Sequence, residues 1–497
     1  MKLKKLLKEI GVECKGGADV EITGICSDSK KVAPGNLFIA KKGLTHDGAR
    51  FIPQAIAAGA SAVATTIYDP FLPNEIVQII HADVAALESE LAKIYYQHPA
   101  EKLFLVGITG TNGKTTTSYL VRHLFESANV SCGLIGTVEW IAGKNHHPSL
   151  YTAPDLLTNY KLFQEMVQSG CKAAVMEVSS HALEQGRVRD IEFDVAVFTN
   201  LTQDHLDYHK TMESYGNAKA KLFSNLGKGS LHKSFPKKAL VNADSAWTPR
   251  LIQNCHAEIL SYGIDQNADI RAKEIALTPE GMRFVVQYQN QQAHFSLSLI
   301  GRFNVYNCLA AIGVGIAYGL SLENMAKILR SFKNARGRLE RVENSRGLHI
   351  FVDYAHSDDA LENVLVTLRE IKRGKLITVF GCGGDRDREK RPKMGRVAES
   401  YSDIAIVTSD NPRSEDPAMI VQEILKGFKN QKQAIVLLDR KEAIERAIKL
   451  AGPDDIVLIA GKGHETKQIF AHQVIHFDDR EVALKAISSH LECGDSL

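Results

Sequence analysis

The sequence predicts an α/β protein of three domains. A central parallel-sheet domain is flanked by a small N-terminal α/β domain and a C-terminal, Rossmann-like doubly wound domain. Three observations carry this reading. The length of 497 residues suggests about three domains. Residues 104–125 read as a short apolar strand, a glycine turn and a helical pattern. After residue 350, four apolar runs each end in a polar cluster, as the strands of a doubly wound sheet do at their carboxyl ends. The expected boundaries are 1–101, 102–335 and 336–497.

Apolar residues make up 44% of the chain and charged residues 24%, ordinary for a globular protein. Sixty basic residues against 58 acidic ones leave a formal net charge of +2, which argues against nucleic acid or an anionic membrane as the main partner. The eight cysteines (14, 26, 132, 171, 255, 308, 382 and 493) form no Cys-x-x-Cys pair and read as reduced thiols, neither a disulfide frame nor a zinc site. The first ten residues begin like a signal, but their apolar positions follow one helical face and Lys8 and Glu9 interrupt them. No segment reaches the roughly 18 apolar residues of a membrane span. A cytoplasmic monomer is expected.

In the N-terminal domain, short alternating runs (Leu37–Ala40, Ser61–Ala64) enclose a helical pattern from Phe51 to Ala58. The turns Cys26-Ser-Asp-Ser-Lys30, Pro34–Phe38 and Gly43–Gly48 could bind a sugar-nucleotide head group or could be ordinary surface turns.

The central domain opens on Gly110-Thr-Asn-Gly-Lys-Thr-Thr116, between the β-branched run Phe104–Thr109 and a helix carrying Leu120, Val121, Leu124 and Phe125 on one face. Glycines at 110 and 113 let backbone N–H groups close around phosphate oxygens. The helix N-terminus adds partial positive charge, Lys114 adds a full one, and Thr115 can hold Mg²⁺. This is a nucleoside triphosphate site of the shorter phosphate-loop form, since Ile108 stands where the longer form has glycine. Glu177 ends the apolar strand of Lys172–His181, and an ionised carboxylate there needs a cation. Asp204-His-Leu-Asp-Tyr-His209 could bind metal or cap a helix. Lys219 has Tyr215, Leu222 and Phe223 at i−4, i+3 and i+4, which places it on an apolar face. It is either a snorkelling lysine or a desolvated, neutral amine able to take up CO₂ as a carbamate. The stretch 227–238 reads as a solvated loop. Asn304 and Asn307 begin a helix, and either could cap it or reach an adenine edge.

Beyond the boundary at Arg336-Gly-Arg-Leu-Glu-Arg341, the four strand-and-cluster units are Ile350–Val352 before Asp353-Tyr-Ala-His356, and Leu376–Phe380 before Gly381–Asp387. They continue with Ile404–Thr408 before Ser409-Asp-Asn-Pro-Arg413, and Ile456–Ala460 before Gly461-Lys-Gly-His-Glu465. In a doubly wound sheet these clusters share the ligand-binding edge.

Taken in order, these motifs make the chain resemble the Mur ligases of bacterial cell-wall synthesis over nearly its whole length. The resemblance implies an ATP-dependent amide ligase. The D-glutamyl γ-carboxylate of UDP-N-acetylmuramoyl-L-alanyl-D-glutamate would be activated as an acyl phosphate, then captured by the amine of meso-diaminopimelate. It implies that Gly110, Thr111, Asn112, Gly113, Lys114, Thr115 and Thr116 cradle ATP, with Asn304, Arg338 and Asp353 along the nucleotide. Ser29 would hold the uridine diphosphate; Thr152, Ala153, Ser179, Gln185 and Arg187 would hold the muramoyl dipeptide. Where relatives often show two adjacent threonines, this chain has Thr152-Ala153, one hydroxyl fewer. Thr115, Glu177, His205 and a carbamylated Lys219 would serve two Mg²⁺ ions, making Lys114, Glu177, His205 and Lys219 the catalytic set. Arg386, Asp410, Asn411, Pro412, Arg413, Gly461 and Glu465 would hold the amino acid, Arg413 pairing with the carboxylate that lysine lacks. Closure of the C-terminal domain about residues 336–340 would keep water from the acyl phosphate. L-lysine as acceptor, or a phosphate-loop kinase or GTPase, are the alternative readings.

Overall fold

The computed structural model describes residues 1–43, 46–149, 151–228 and 235–494. Two compact units form: Met1–Asp269 with Ala310–Ser321, and Ile270–Leu309 with Leu322–Leu497. The division falls inside the helix Arg302–Tyr318.

The first unit holds two sheets. In the smaller, β1 (Cys14–Lys15), β2 (Gly24–Cys26), β3 (Asn36–Ile39), β4 (Ala62–Thr65) and β5 (Val77–Ile80) lie in the order β1-β5-β4-β3-β2. All pairs are parallel except β1 with β5. The helix Leu3–Ile10 buries Leu3, Leu6 and Leu7, the single apolar face its spacing predicts. Burial along β3 and β4 does not alternate as the sequence suggested, because both faces of the sheet are covered. Leu37, Ile39, Ala62 and Ala64 join the core shared with Leu3–Ile10, whereas Phe38 and Val63 pack with Ile52 and Ala55.

The larger sheet of this unit is built on β6 (Phe104–Thr109), every residue of which is buried. It continues with β7 (Cys132–Ile135), β8 (Glu139–Ala142), β9 (Asn145–Pro148), β10 (Ala173–Glu177), β11 (Val195–Phe198), β12 (Lys238–Asn242) and β13 (Glu258–Gly263). The order is β13-β12-β11-β6-β10-β7-β8-β9, parallel from β13 to β7 and antiparallel over the last two. Glu177 pairs with Ile108, and Phe198 with Thr109, so the carboxyl ends of β10, β6 and β11 reach one edge together.

In the second unit, β14 (Ile270–Thr278), β15 (Gly281–Tyr288) and β16 (Gln291–Leu297) form an antiparallel meander. The doubly wound sheet contains β17 (Glu340–Arg341), β18 (His349–Asp353), β19 (Leu376–Phe380), β20 (Ile404–Val407), β21 (Ile435–Val436) and β22 (Ile456–Ala460). Their order is β17-β18-β22-β19-β20-β21, all parallel but β17. Helices cover both faces: Phe351, Phe380 and Leu458 pack with Leu361 and Met394, while Ile350, Val379 and Ile459 pack with Ile444 and Ile448. The hairpin β23 (Lys467–Ile469) and β24 (Val474–His476) follows. Among the described residues no helix is long and apolar enough to cross a membrane, and Cys14, Cys26, Cys132, Cys171, Cys255, Cys308 and Cys382 are free.

Candidate active site

The phosphate-loop stretch links β6 to the helix Lys114–Ser127, whose N-cap is Gly113 at φ 87°. Gly110 sits at φ 149°, and a β-carbon there would lie 1.8 Å from Thr199 Oγ1, so only glycine fits. Hydrogen bonds tie the loop to the exit of β11. Thr111 N–H donates to Asn200 O (2.9 Å), Asn112 N–H to Asn200 Oδ1 (2.9 Å), and Thr199 Oγ1 to Asn112 O (2.7 Å). Lys114 Nζ donates to Gly110 O at 2.8 Å and Thr111 O at 2.7 Å, which fixes the cation within the loop. Thr115 and Thr116 are both buried.

Glu177, fully buried, stands at the end of β10 beside this loop. Its Oε2 accepts from Thr115 Oγ1 (3.0 Å) and Thr137 Oγ1 (2.9 Å), and its Oε1 from the Thr137 N–H (3.0 Å). These three donors make a buried carboxylate tolerable, since an unpaired one would cost several kcal/mol. The donor set also suits Mg²⁺. The Glu177 carboxylate and the Thr115 hydroxyl offer oxygen, and among the described residues no group of three or more His, Cys, Asp or Glu is placed to hold a metal ion by itself. A cation here would complete its shell with phosphate and water oxygens, the habit of Mg²⁺ at nucleotide sites.

Lys219 comes from the helix Met212–Asn225 and is 1% exposed, so the snorkelling reading fails. Its Nζ donates to Gly110 O at 2.9 Å and lies 4.5 Å from the centre of the Tyr215 ring. Burial, and then the neighbouring Lys114 ammonium, hold its pKa well below the usual lysine range. His205, at φ 53°, stands at the N-cap of the short helix Leu206–His209, but its side chain caps nothing. Its Nε2 is 3.5 Å from Asp204 Oδ2, and its ring centre lies 4.9 Å from that of His181.

The residues expected to hold the dipeptide converge on the same edge. Arg187 Nη1 donates to Ala153 O (3.0 Å), its Nη2 to Gln185 Oε1 (2.5 Å), and Thr152 Oγ1 meets Thr137 Oγ1 at 3.1 Å. Thr137 thereby joins this group to Glu177. Ala153 is buried, so its carbonyl and not its methyl is what it offers. Ser179 is occupied as the N-cap of the helix Ser180–Glu184. Ser29 belongs to the smaller sheet's surround, where its Oγ donates to Gln54 Oε1 at 2.9 Å. Residues 44 and 45 of the Gly43–Gly48 turn, and residues 229–234 of the 227–238 loop, lie outside the described residues.

In the second unit the four strand-end clusters meet as the topology requires. Gly461 N–H donates to Asp353 O (3.1 Å), Asn411 Nδ2 to Glu465 Oε2 (2.8 Å), Gly384 N–H to Asn411 O (2.9 Å) and Arg413 Nη1 to Gly384 O (2.8 Å). A β-carbon on Gly461 would lie 2.5 Å from Asp410 Oδ2, and one on Gly384 1.8 Å from Pro412 O. Arg413 holds φ 52° while its own N–H donates to Ile469 O. Arg386 is exposed, and among the described residues its side chain bonds only the Asp385 carbonyl beside it. Asp353 accepts from the N–H groups of Leu339 (2.7 Å) and Ala355 (2.8 Å), and burial pushes its carboxyl pKa up. Arg338 lies over the Tyr354 ring, 5.2 Å from its centre. Asn304 is not a cap. It is the third residue of its helix, its Nδ2 donates back to Ile300 O and its Oδ1 accepts from Asn307 Nδ2, both at 2.8 Å.

Sequence reasoning missed Thr137, Lys462 and Arg391. Thr137 follows the end of β7 much as Glu177 ends β10, and that shared strand-end position was the available signal. Arg391, fully buried, bonds both oxygens of Glu415 (2.8 and 2.9 Å), Glu423 Oε2 (2.7 Å) and Gly383 O (3.2 Å), clamping the glycine turn to the segment after Arg413.

Two groups here set an acid limit. Hydrogen bonds from Arg391 hold the Glu415 carboxyl down to about 2 from 4.5. Burial, then Arg338, holds His464 down to about 4 from 6.5. Both folded values lie below the unfolded ones, so the unfolded chain binds more protons on acidification and stability falls. His464 loses its contribution between about pH 6.5 and 4, and Glu415 between about pH 4.5 and 2. In thermal melts across this range, His464→Gln is expected to flatten the upper part of the decline and Glu415→Gln the lower part. Unaltered profiles would refute the assignment.

A phosphate loop on a parallel sheet, with a buried carboxylate at the adjoining strand end, defines a nucleoside-triphosphate-dependent α/β enzyme. Three family models match the chain: Mur ligase family, catalytic domain, over residues 21–101; Mur ligase middle domain over 108–315; and Mur ligase, glutamate ligase domain, over 337–463. The chain belongs to the Mur ligase family of ATP-dependent amide ligases. It is 46% identical over 472 residues, 95% of each chain, to the UDP-N-acetylmuramoyl-L-alanyl-D-glutamate–2,6-diaminopimelate ligase of Bacillus cereus. It is 45% identical to the enzyme of that name from Chlamydia caviae, covering 99% of this chain and 100% of the other. A solved structure bearing the same enzyme name superposes with a TM-score of 0.73 at 32% identity, over 99% of both chains.

Proposed function

We propose that this enzyme adds meso-2,6-diaminopimelate to the D-glutamyl γ-carboxylate of UDP-N-acetylmuramoyl-L-alanyl-D-glutamate, with ATP as the activating substrate, in the cytoplasm. The observation that carries the reading is the rim of the second unit. Arg413, Asn411 and Glu465 are assembled there by Gly384 and Gly461, offering a cation and an anion to an acceptor that carries both charges. The names of relatives at 42–46% identity support the same acceptor. On this reading residues 1–101 hold the uridine diphosphate through Ser29, residues 102–335 bind ATP and residues 336–497 grip the amino acid, with Asn304, Arg338 and Asp353 serving the nucleotide.

The γ-carboxylate attacks the γ-phosphorus of ATP, giving an acyl phosphate and ADP. The amine then attacks the activated carbonyl, loses a proton and expels phosphate. Bringing a carboxylate to a triphosphate is opposed by charge. Lys114 screens that repulsion, while the backbone of Gly110–Thr116 fixes the phosphates for in-line approach. Mg²⁺ bound by Thr115, Glu177, His205 and a CO₂-derived carbamate on Lys219 would supply further neutralisation of the phosphates. Arg187, Gln185, Thr152 and the Ala153 carbonyl orient the dipeptide. Positioning of this kind can contribute effective molarities of about 10⁵ M or more.

The deciding experiment is ADP release with the UDP-linked dipeptide present, comparing diaminopimelate, lysine and ornithine as acceptors. Release that requires both the dipeptide and diaminopimelate is expected. Turnover without any amine would point to a kinase or GTPase, and preference for lysine would reassign the acceptor.

A further inference from the structure

Lys462 lies between Gly461 and Gly463, just after β22, and no part of its side chain reaches solvent. Burying an ammonium is costly unless it is paired and hydrogen-bonded, and an apolar side chain of similar size often serves stability as well or better. A lysine here therefore calls for a reason beyond packing. Its Nζ donates to Lys467 O (2.6 Å), Asn411 Oδ1 (3.1 Å) and Glu465 Oε2 (3.2 Å). Two of these three partners belong to the acceptor rim.

The arrangement fixes both rim side chains. Asn411 Oδ1 accepts from Lys462 Nζ and from the Ile469 N–H at 3.0 Å, so its amide can face only one way, with Nδ2 donating to Glu465 Oε2 at 2.8 Å. Glu465 Oε2 thus receives two donors, one of them cationic. Its Oε1 takes no hydrogen bond from the described residues, and the side chain is 34% exposed. The carboxylate is anchored by one oxygen and presents the other. Gln468 Nε2, donating to Asp410 O at 2.8 Å, keeps the hairpin that carries Ile469 against the same segment.

We propose that Lys462 is a positioning residue for acceptor binding. It locks the Asn411 amide and turns Glu465 Oε1 toward an ammonium group of the incoming amino acid. The inference rests on the proposed function, since it requires that this rim bind the acceptor.

The test follows ADP release by the full-length enzyme carrying Lys462→Met, whose unbranched side chain is one atom shorter and carries no charge. KM for diaminopimelate is expected to rise by about 30-fold or more, with kcat within about threefold, and with KM for ATP and for the UDP-linked dipeptide unchanged. Combining Lys462→Met with Glu465→Gln should cost no more than the worse single change, because the lysine acts through that carboxylate. Equal losses in all three KM values, or additive losses in the double variant, would overturn the proposal. Lys462→Gln, which keeps a donor without the charge, should give an intermediate KM if Lys462→Met fails to fold. Failure of both variants to fold would assign the lysine to stability and equally overturn it. A wild-type enzyme that turns over with neither diaminopimelate nor lysine would refute the functional reading instead, and one that prefers lysine moves the same comparison to that acceptor.

Discussion

Lys219→Ala is expected to slow ADP release by about 10²- to 10³-fold, with partial recovery when a short carboxylic acid such as acetate or propionate is added. The argument starts from position. The amine is buried, donates to the Gly110 carbonyl and shares that carbonyl with Lys114. Two ammonium groups on one oxygen repel each other, and burial with this repulsion favours the neutral amine. On the proposed function this amine takes up CO₂ to give an anion at the edge where Glu177 and Thr115 offer oxygen to a cation. Removing the side chain would delete that anion, and a diffusible carboxylate could replace it in the cavity left behind. Unimpaired turnover would reduce Lys219 to a structural residue, and a loss that no carboxylate relieves would count against the carbamate.

Arg413→Ala should lower kcat/KM for diaminopimelate by about 10²-fold while altering the use of lysine far less. The guanidinium is already anchored by one nitrogen on Gly384 O, so it can meet a carboxylate with little further loss of freedom. Lysine lacks that carboxylate and has nothing to lose. Arg413→Lys should fall between, because an ammonium keeps the charge but not the planar fork. Parallel losses on both acceptors, measured from initial rates, would show that Arg413 supports the fold of the rim and does not select the substrate.

Much of this architecture is legible in the sequence because it is local. Phe104–Thr109, the glycine turn and the helix after it form a continuous pattern, and the four strands that precede the polar clusters of the second unit, β18, β19, β20 and β22, each end within one residue of their apolar runs. The neighbours of Lys219 one helical turn away place it on an apolar face, but they leave snorkelling open, and its burial is a finding of the structure. What stayed hidden depends on contacts between distant segments. Thr137 meets Glu177 across 40 residues of chain, and Lys462 meets Asn411 across 51. No spacing rule signals such pairs. The capping alternative for Asn304 fails for another reason: a residue type that favours helix starts says nothing of the register, and Asn304 is a first-turn residue that bonds backwards. The alternation expected of β3 and β4 failed because both faces of that sheet are packed, a tertiary fact that a four-residue run cannot report.

The stapling of the phosphate loop to Thr199 and Asn200 bears on how such a cradle could be transplanted. Its shape is not a property of the seven residues from Gly110 to Thr116, since Asn200 receives two of their N–H groups and Thr199 Oγ1 fills the space beside Gly110. The portable unit is a pair of segments from adjacent strands, and a graft carrying the glycines alone would arrive without its mould.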